Sequence, residues 1–102
     1  MNAANPNYDD GLILSRNQKW IPKPSIVEHY IRSGLIERYG MVYVEQMLAT
    51  MTVDSCDEEN LIIRVESKFY QAVICKRLLS DITQIVSDVY DIQPLISIVL
   101  SE

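Results

Sequence analysis

The sequence predicts a small α+β domain: a three-stranded sheet packed against helices, in the order α-α-β-β-α-β. Three observations predict it. Apolar residues recur at three-four spacing before residue 50 and again between residues 69 and 89, as in amphipathic helices. Two alternating segments flank Asp57-Glu-Glu-Asn60, as in a hairpin. An uncharged apolar run, Leu95 to Leu100, reads as a last strand. At 102 residues the chain holds one core, without room for a cleft between lobes. Its apolar fraction of 48% is that of a globular protein.

Residues 1–18 are rich in Asn and Asp and read as a flexible leader, which leaves 19–102 as the domain. Trp20-Ile-Pro-Lys-Pro-Ser reads as extended, because a residue before proline avoids the helical region. Ser25 with Glu28 makes a capping-box pattern for the first helix, which is expected to turn Ile26, Val27, Tyr30, Ile31, Leu35 and Ile36 inward. Gly34 falls inside that helix and is expected to kink or end it. Gly40 separates it from a second helix, from Met41 to about Thr50.

Strand one alternates, with Met51, Val53 and Ser55 on one side. Asn60 is the turn residue best able to take a left-handed backbone, and the turn acids Asp57 and Glu58 are expected to matter little for stability. In strand two, Leu61, Ile63 and Val65 share a face. Ser67 can cap a long helix of about 23 residues, roughly 34 Å, with one apolar stripe: Phe69, Ala72, Val73, Cys75, Leu78, Leu79, Ile82, Ile85, Val86 and Val89. Pro94 suits the first position of the last strand.

The residues that could carry chemistry are few. His29 is the only histidine and stands beside Glu28 without Cys or Asp ligands near it in sequence. Cys56 and Cys75 form neither a CxxC pair nor a disulfide framework, so no zinc is expected and a reducing, cytoplasmic setting is. Gly11, Gly34 and Gly40 make no phosphate loop and no GxxG loop of the kind KH domains use on nucleic acid. No basic stretch followed by an apolar one marks a secretory signal, and no run is long enough to span a membrane. No enzyme, metal or cofactor is expected.

The net charge of −5 argues against nucleic acid as the main partner, because phosphate contacts dominate that affinity. Lys68, Lys76 and Arg77 are the candidates for a local basic patch. Trp20, Phe69 and Tyr70 could anchor a partner, since buried aromatics carry much interface energy; Phe69 could equally close one end of the core.

Met41 to Leu100 resembles the N-terminal domain of the bacterial replication initiator DnaA. The likeness is carried by Leu61-Ile-Ile-Arg-Val-Glu-Ser-Lys-Phe-Tyr, an apolar strand, a short linker and an aromatic opening the long helix. It continues through Leu78-Leu-Ser-Asp-Ile-Thr-Gln-Ile-Val and Pro94-Leu-Ile-Ser-Ile-Val. It covers about 60 residues. Val44-Glu-Gln-Met47 stands where that family has an aromatic-x-x-Trp pattern, and Glu66 stands in place of the linker proline. The end of the chain is also similar to the helicase-loader family DciA.

The resemblance implies a KH-like fold and a protein–protein module in replication initiation. The 102 residues hold no ATPase module, which implies a stand-alone or excised domain. Implied partners are the replicative helicase, the initiator, a regulator of initiation or a second copy, with weak or no binding to nucleic acid. By family position Phe69, with Tyr70 and Lys68, belongs to the partner surface. Val27, Glu28 and Ile31 on the first helix form a second candidate. From another class, low pI and small size also suit a chaperone for a secreted effector.

Overall fold

The computed structural model describes residues 22–101. The leader at 1–18 and Trp20 lie outside the described residues. The elements are α1 (Pro24–Tyr39), α2 (Met41–Leu48), β1 (Thr52–Cys56), β2 (Asn60–Val65), α3 (Lys68–Val73), a π-helical segment (Ile74–Leu78), α4 (Leu79–Tyr90) and β3 (Leu95–Leu100). The α+β class and the predicted order hold, with the long helix made of three consecutive pieces.

Pro24 opens α1 in its first turn, where the fixed φ fits and the missing N–H costs nothing. The carbonyl of Lys23 accepts from Ile26 and Val27 at 3.0 and 3.1 Å. The predicted capping box does not form, because Pro24 has already started the helix and Ser25 lies within it. Glu28 works elsewhere. Its carboxylate accepts the backbone N–H of Val53 at 3.1 Å and pairs with Arg32 at 3.4 Å. Arg32 in turn donates to the carbonyl of Met51 at 2.6 Å. These contacts fasten α1 to the start of β1 and occupy backbone groups along that sheet edge.

Gly34 neither kinks nor ends α1, which continues to Tyr39. An added Cβ would lie 2.6 Å from Cδ1 and 2.7 Å from Cγ1 of Ile85, so the glycine is there to let α1 and α4 approach. Gly40 ends the helix, with φ 91° and ψ 155°, a conformation that L side chains rarely adopt. Its N–H donates to Ile36 at 2.8 Å, and α2 begins at the next residue.

β1 departs from simple alternation. The register slips between Val53 and Ser55, so Val53 and Cys56 face the core while Ser55 is exposed. The extra residue turns an apolar thiol inward in place of a serine. Asp57 then builds the turn: one carboxylate oxygen accepts the N–H groups of Glu59 and Asn60, both at 2.8 Å. Asn60 is not left-handed but is the first residue of β2.

The sheet order is β1-β2-β3, with β1 antiparallel and β3 parallel to β2. The parallel register sets Ile96, Ile98 and Leu100 beside Leu61, Ile63 and Val65. The helices pack on that face. The core joins Val27, Ile31 and Leu35 of α1, but not Tyr30, which is exposed, to Val44, Leu48, Met51, the inward strand residues, Ile74, Leu78, Ile82 and Val86.

Two outcomes test these assignments. Gly34→Ala is expected to destabilise the chain. Overpacking against Ile85 costs about 1–3 kcal/mol, more than the roughly 0.5–1 kcal/mol that alanine gains over glycine within a helix. Adding Ile85→Val should recover part of the loss in urea denaturation; strictly additive effects would mean that the two sites do not touch. Asp57→Ala should cost about 0.5–1.5 kcal/mol through its turn bonds, whereas Glu58→Ala, at an exposed position, should leave the urea midpoint in place.

Candidate functional site

Between α2 and α3 lies a groove of about 220 Å³ lined by Tyr43, Met47, Phe69, Ala72, Val73, Lys76 and Arg77. Helical spacing builds both walls. Val44 and Leu48 of α2 are buried, which turns Tyr43 and Met47, each one position earlier and four residues apart, to the flank of that helix. On α3, Phe69, Ala72 and Val73 follow at i, i+3 and i+4 and share one face, and Lys76 of the π segment lines the groove beyond them. Ser67 fixes where that face begins, its hydroxyl accepting the N–H of Tyr70 at 3.3 Å.

The predicted single apolar stripe is therefore two stripes. One runs through Ile74, Leu78, Ile82 and Val86 into the core. The other runs through Phe69, Ala72 and Val73 to the groove. Cys75, placed on the stripe by sequence, is exposed, and so are Ala72 and Val89. The core positions are four residues apart, and each such step over-rotates an α-helix by about 40°. The wider turn of the π segment absorbs part of that drift. That spacing, with Ile74 missed from the stripe, is the sequence signal that could have exposed the second face.

Phe69 is 62% exposed, so it does not close the core. Its ring lies edge-on to Tyr70 at 5.3 Å between centroids, and Tyr70 packs half-buried against the core. Lys68 is exposed at the start of α3. The structure thus brings Phe69, Tyr70 and Lys68 together and adds Tyr43, Met47, Lys76 and Arg77, of which only the last two were singled out from sequence. It separates the first-helix candidates: Val27 and Ile31 are wholly buried in the core, and Glu28 is engaged with β1 and Arg32. Val27 and Ile31 are positions of the core, and Glu28, part-exposed, fastens α1 to β1.

The charge pattern sharpens the site. Arg32, Arg38 and Arg64 are paired with Glu28, Asp81 and Asp54. Among the described residues, Lys68, Lys76 and Arg77 have no such carboxylate partner, and no carboxylate lines the groove. Lys76 and Arg77 also border a second depression of about 470 Å³ along the π segment and α4, with Cys75, Leu79, Ser80, Thr83 and Gln84. Its walls come from one stretch of helix, which makes it an open surface feature. The groove is smaller than the roughly 300–1,000 Å³ of small-molecule sites.

The remaining polar clusters hold the fold. Arg38 donates to Asp81 at 2.7 Å and Tyr39 donates to the same carboxylate, which ties the end of α1 to the start of α4. The Tyr39 bond first, then Arg38, hold the Asp81 carboxyl below its usual range, while the same bond raises the Tyr39 hydroxyl. A depressed carboxyl stabilises the fold at neutral pH and loses that contribution as pH falls through its folded-state value. Among the described residues no group of three or more His, Cys, Asp and Glu could hold a metal ion.

The two thiols differ. Cys56 is buried in the core, and burial, with Asp57 nearby, pushes its thiol up to about 11. Cys75 is exposed beside Lys76. A thiol-specific chromogenic reagent at neutral pH should therefore modify one thiol per native chain, and the second only in denaturant; two fast-reacting thiols in the native protein would contradict the inward placement of Cys56. No helix among the described residues is long and apolar enough to cross a membrane. Comparison with known proteins returns no matching family model, no matching curated protein and no matching solved structure.

Proposed function

We propose that this chain is a non-enzymatic, cytoplasmic protein–protein interaction module that acts as an adaptor or regulator in bacterial replication initiation, docking its partner in the groove between α2 and α3. The observation that carries the docking surface is Phe69. A large aromatic ring stands 62% exposed at the edge of an apolar groove, beside cations without a carboxylate partner. An aromatic that contributes little to its own core is free to contribute to a partner's. Met47 adds an adaptable thioether to the floor, a residue type favoured where a surface must fit a partner's side chain. The assignment to replication rests on the resemblance to the initiator's N-terminal domain, in which Phe69 holds the partner-contacting position. The replicative helicase and the initiator are the partners to test first.

From sequence, Phe69 could belong to the core, which favours Tyr70 as the probe; in the structure Tyr70 packs against the core whereas Phe69 does not. Phe69→Ala should weaken partner binding by about thirtyfold, the loss of roughly 2 kcal/mol that marks a hot spot. Its circular dichroism and urea midpoint should stay unchanged. Calorimetry against the host's helicase and initiator measures this. If neither protein binds the unsubstituted chain, the replication reading fails and a chaperone for secreted proteins replaces it.

A further inference from the structure

From the charge around the groove we infer that its occupant is an acidic amphipathic helix of a partner protein, an inference that rests on the docking surface proposed above. The apolar lining, Tyr43, Met47 and Val73 with Phe69 at its edge, lies between two helices and suits the apolar face of a third, the helix-in-groove mode. The rim selects the charge. Lys76 and Arg77 border the groove, Lys68 stands next to Phe69, and no carboxylate lines the site. The chain as a whole carries 14 acidic and 9 basic side chains. A local cluster of cations with no carboxylate partner on such a chain attracts acidic side chains and is a poor match for a basic helix.

The π segment sharpens the selection. It carries Lys76 and Arg77 as consecutive residues, so the rim holds two cations that differ in kind. Arg77 offers a planar fork that can bind a carboxylate through two bonds, and Lys76 a mobile point charge. A single-stranded nucleic acid is the competing occupant of a basic patch with an aromatic. The Met47 and Val73 floor and the net charge of −5 oppose it, since that affinity is carried by neutralised phosphates.

The test uses the full 102-residue chain and fluorescence anisotropy. One probe is a helical peptide with leucines at i, i+3, i+4 and i+7 flanked by glutamates; the second carries lysines in place of the glutamates; the third is a single-stranded oligonucleotide. The glutamate peptide should bind, about tenfold or more tighter than the lysine peptide, with affinity falling as salt rises. Lys76→Glu with Arg77→Glu should reverse that preference, chiefly through the association rate, with circular dichroism unchanged. Equal affinity for the two peptides, no binding of either, indifference to the charge reversal, or tighter binding of the oligonucleotide would each overturn the inference. If Phe69→Ala abolishes capture of the helicase or initiator while the charge reversal leaves it intact, the docking groove stands and only the acidic partner falls.

Discussion

Because β3 pairs parallel to β2, the chain must leave the end of β2, travel back along the sheet and enter β3 at the same end as β2 began. Residues 68–90 make that crossing as an unbroken helical path. The rest of the molecule is arranged around it. Its inner face covers Leu61, Ile63 and Val65, and α1 is brought against α4 so closely that position 34 admits no side chain. Arg38 and Tyr39 then hold the end of α1 to Asp81 at the start of α4. With α1 set in this way, Gly40 alone separates it from α2, which packs against α1 and α3. The groove is thus a consequence of the crossover. It is the space left where α2 meets the first turns of a helix committed to the sheet.

The elements were legible because their signals are local. Alternation in Leu61 to Val65, the Ser67 cap and the uncharged Leu95 to Leu100 each specify an element without reference to the rest of the chain. What was not legible depends on tertiary partners. Gly34 reads as a helix breaker when only its propensity is weighed, and as a packing residue once Ile85 faces it. Ser25 and Glu28 match a capping box by spacing, yet Pro24 fixes the start two residues earlier, with Lys23 at the N-cap, and frees Glu28 for the backbone of Val53. The bulge in β1 has no strong sequence mark, and it decides that Cys56, rather than Ser55, enters the core.

The candidate site was half legible for a similar reason. Phe69 and its neighbours stood out as aromatic and basic residues at a helix start. Their partners Tyr43 and Met47 did not, because at three-four spacing a flanking stripe cannot be told from a core stripe. The π segment is what separates the two. An ordinary α-helix with apolar residues every fourth position would carry its stripe steadily around the axis; here the wide turn returns it to the sheet at Leu78 and leaves Lys76 and Arg77 outside.

On the docking surface proposed above, this separation would decouple recognition from stability. A core aromatic that also met a partner could not be altered without loss of the fold, since truncating one costs about 3–5 kcal/mol, a large share of the roughly 5–15 kcal/mol that keeps a domain folded. Phe69 carries little of that load, and neither do Lys68, Lys76 and Arg77, all exposed. Tyr70 behind Phe69 is the hinge between the two roles: half-buried, it braces the exposed ring from the core side, edge against face. The ring is therefore held in a defined orientation, which would lower the ordering cost of binding the proposed partner. Residues on one face of the crossover fix the fold, and residues about 100° away stay outside the core, where the proposed partner would meet them.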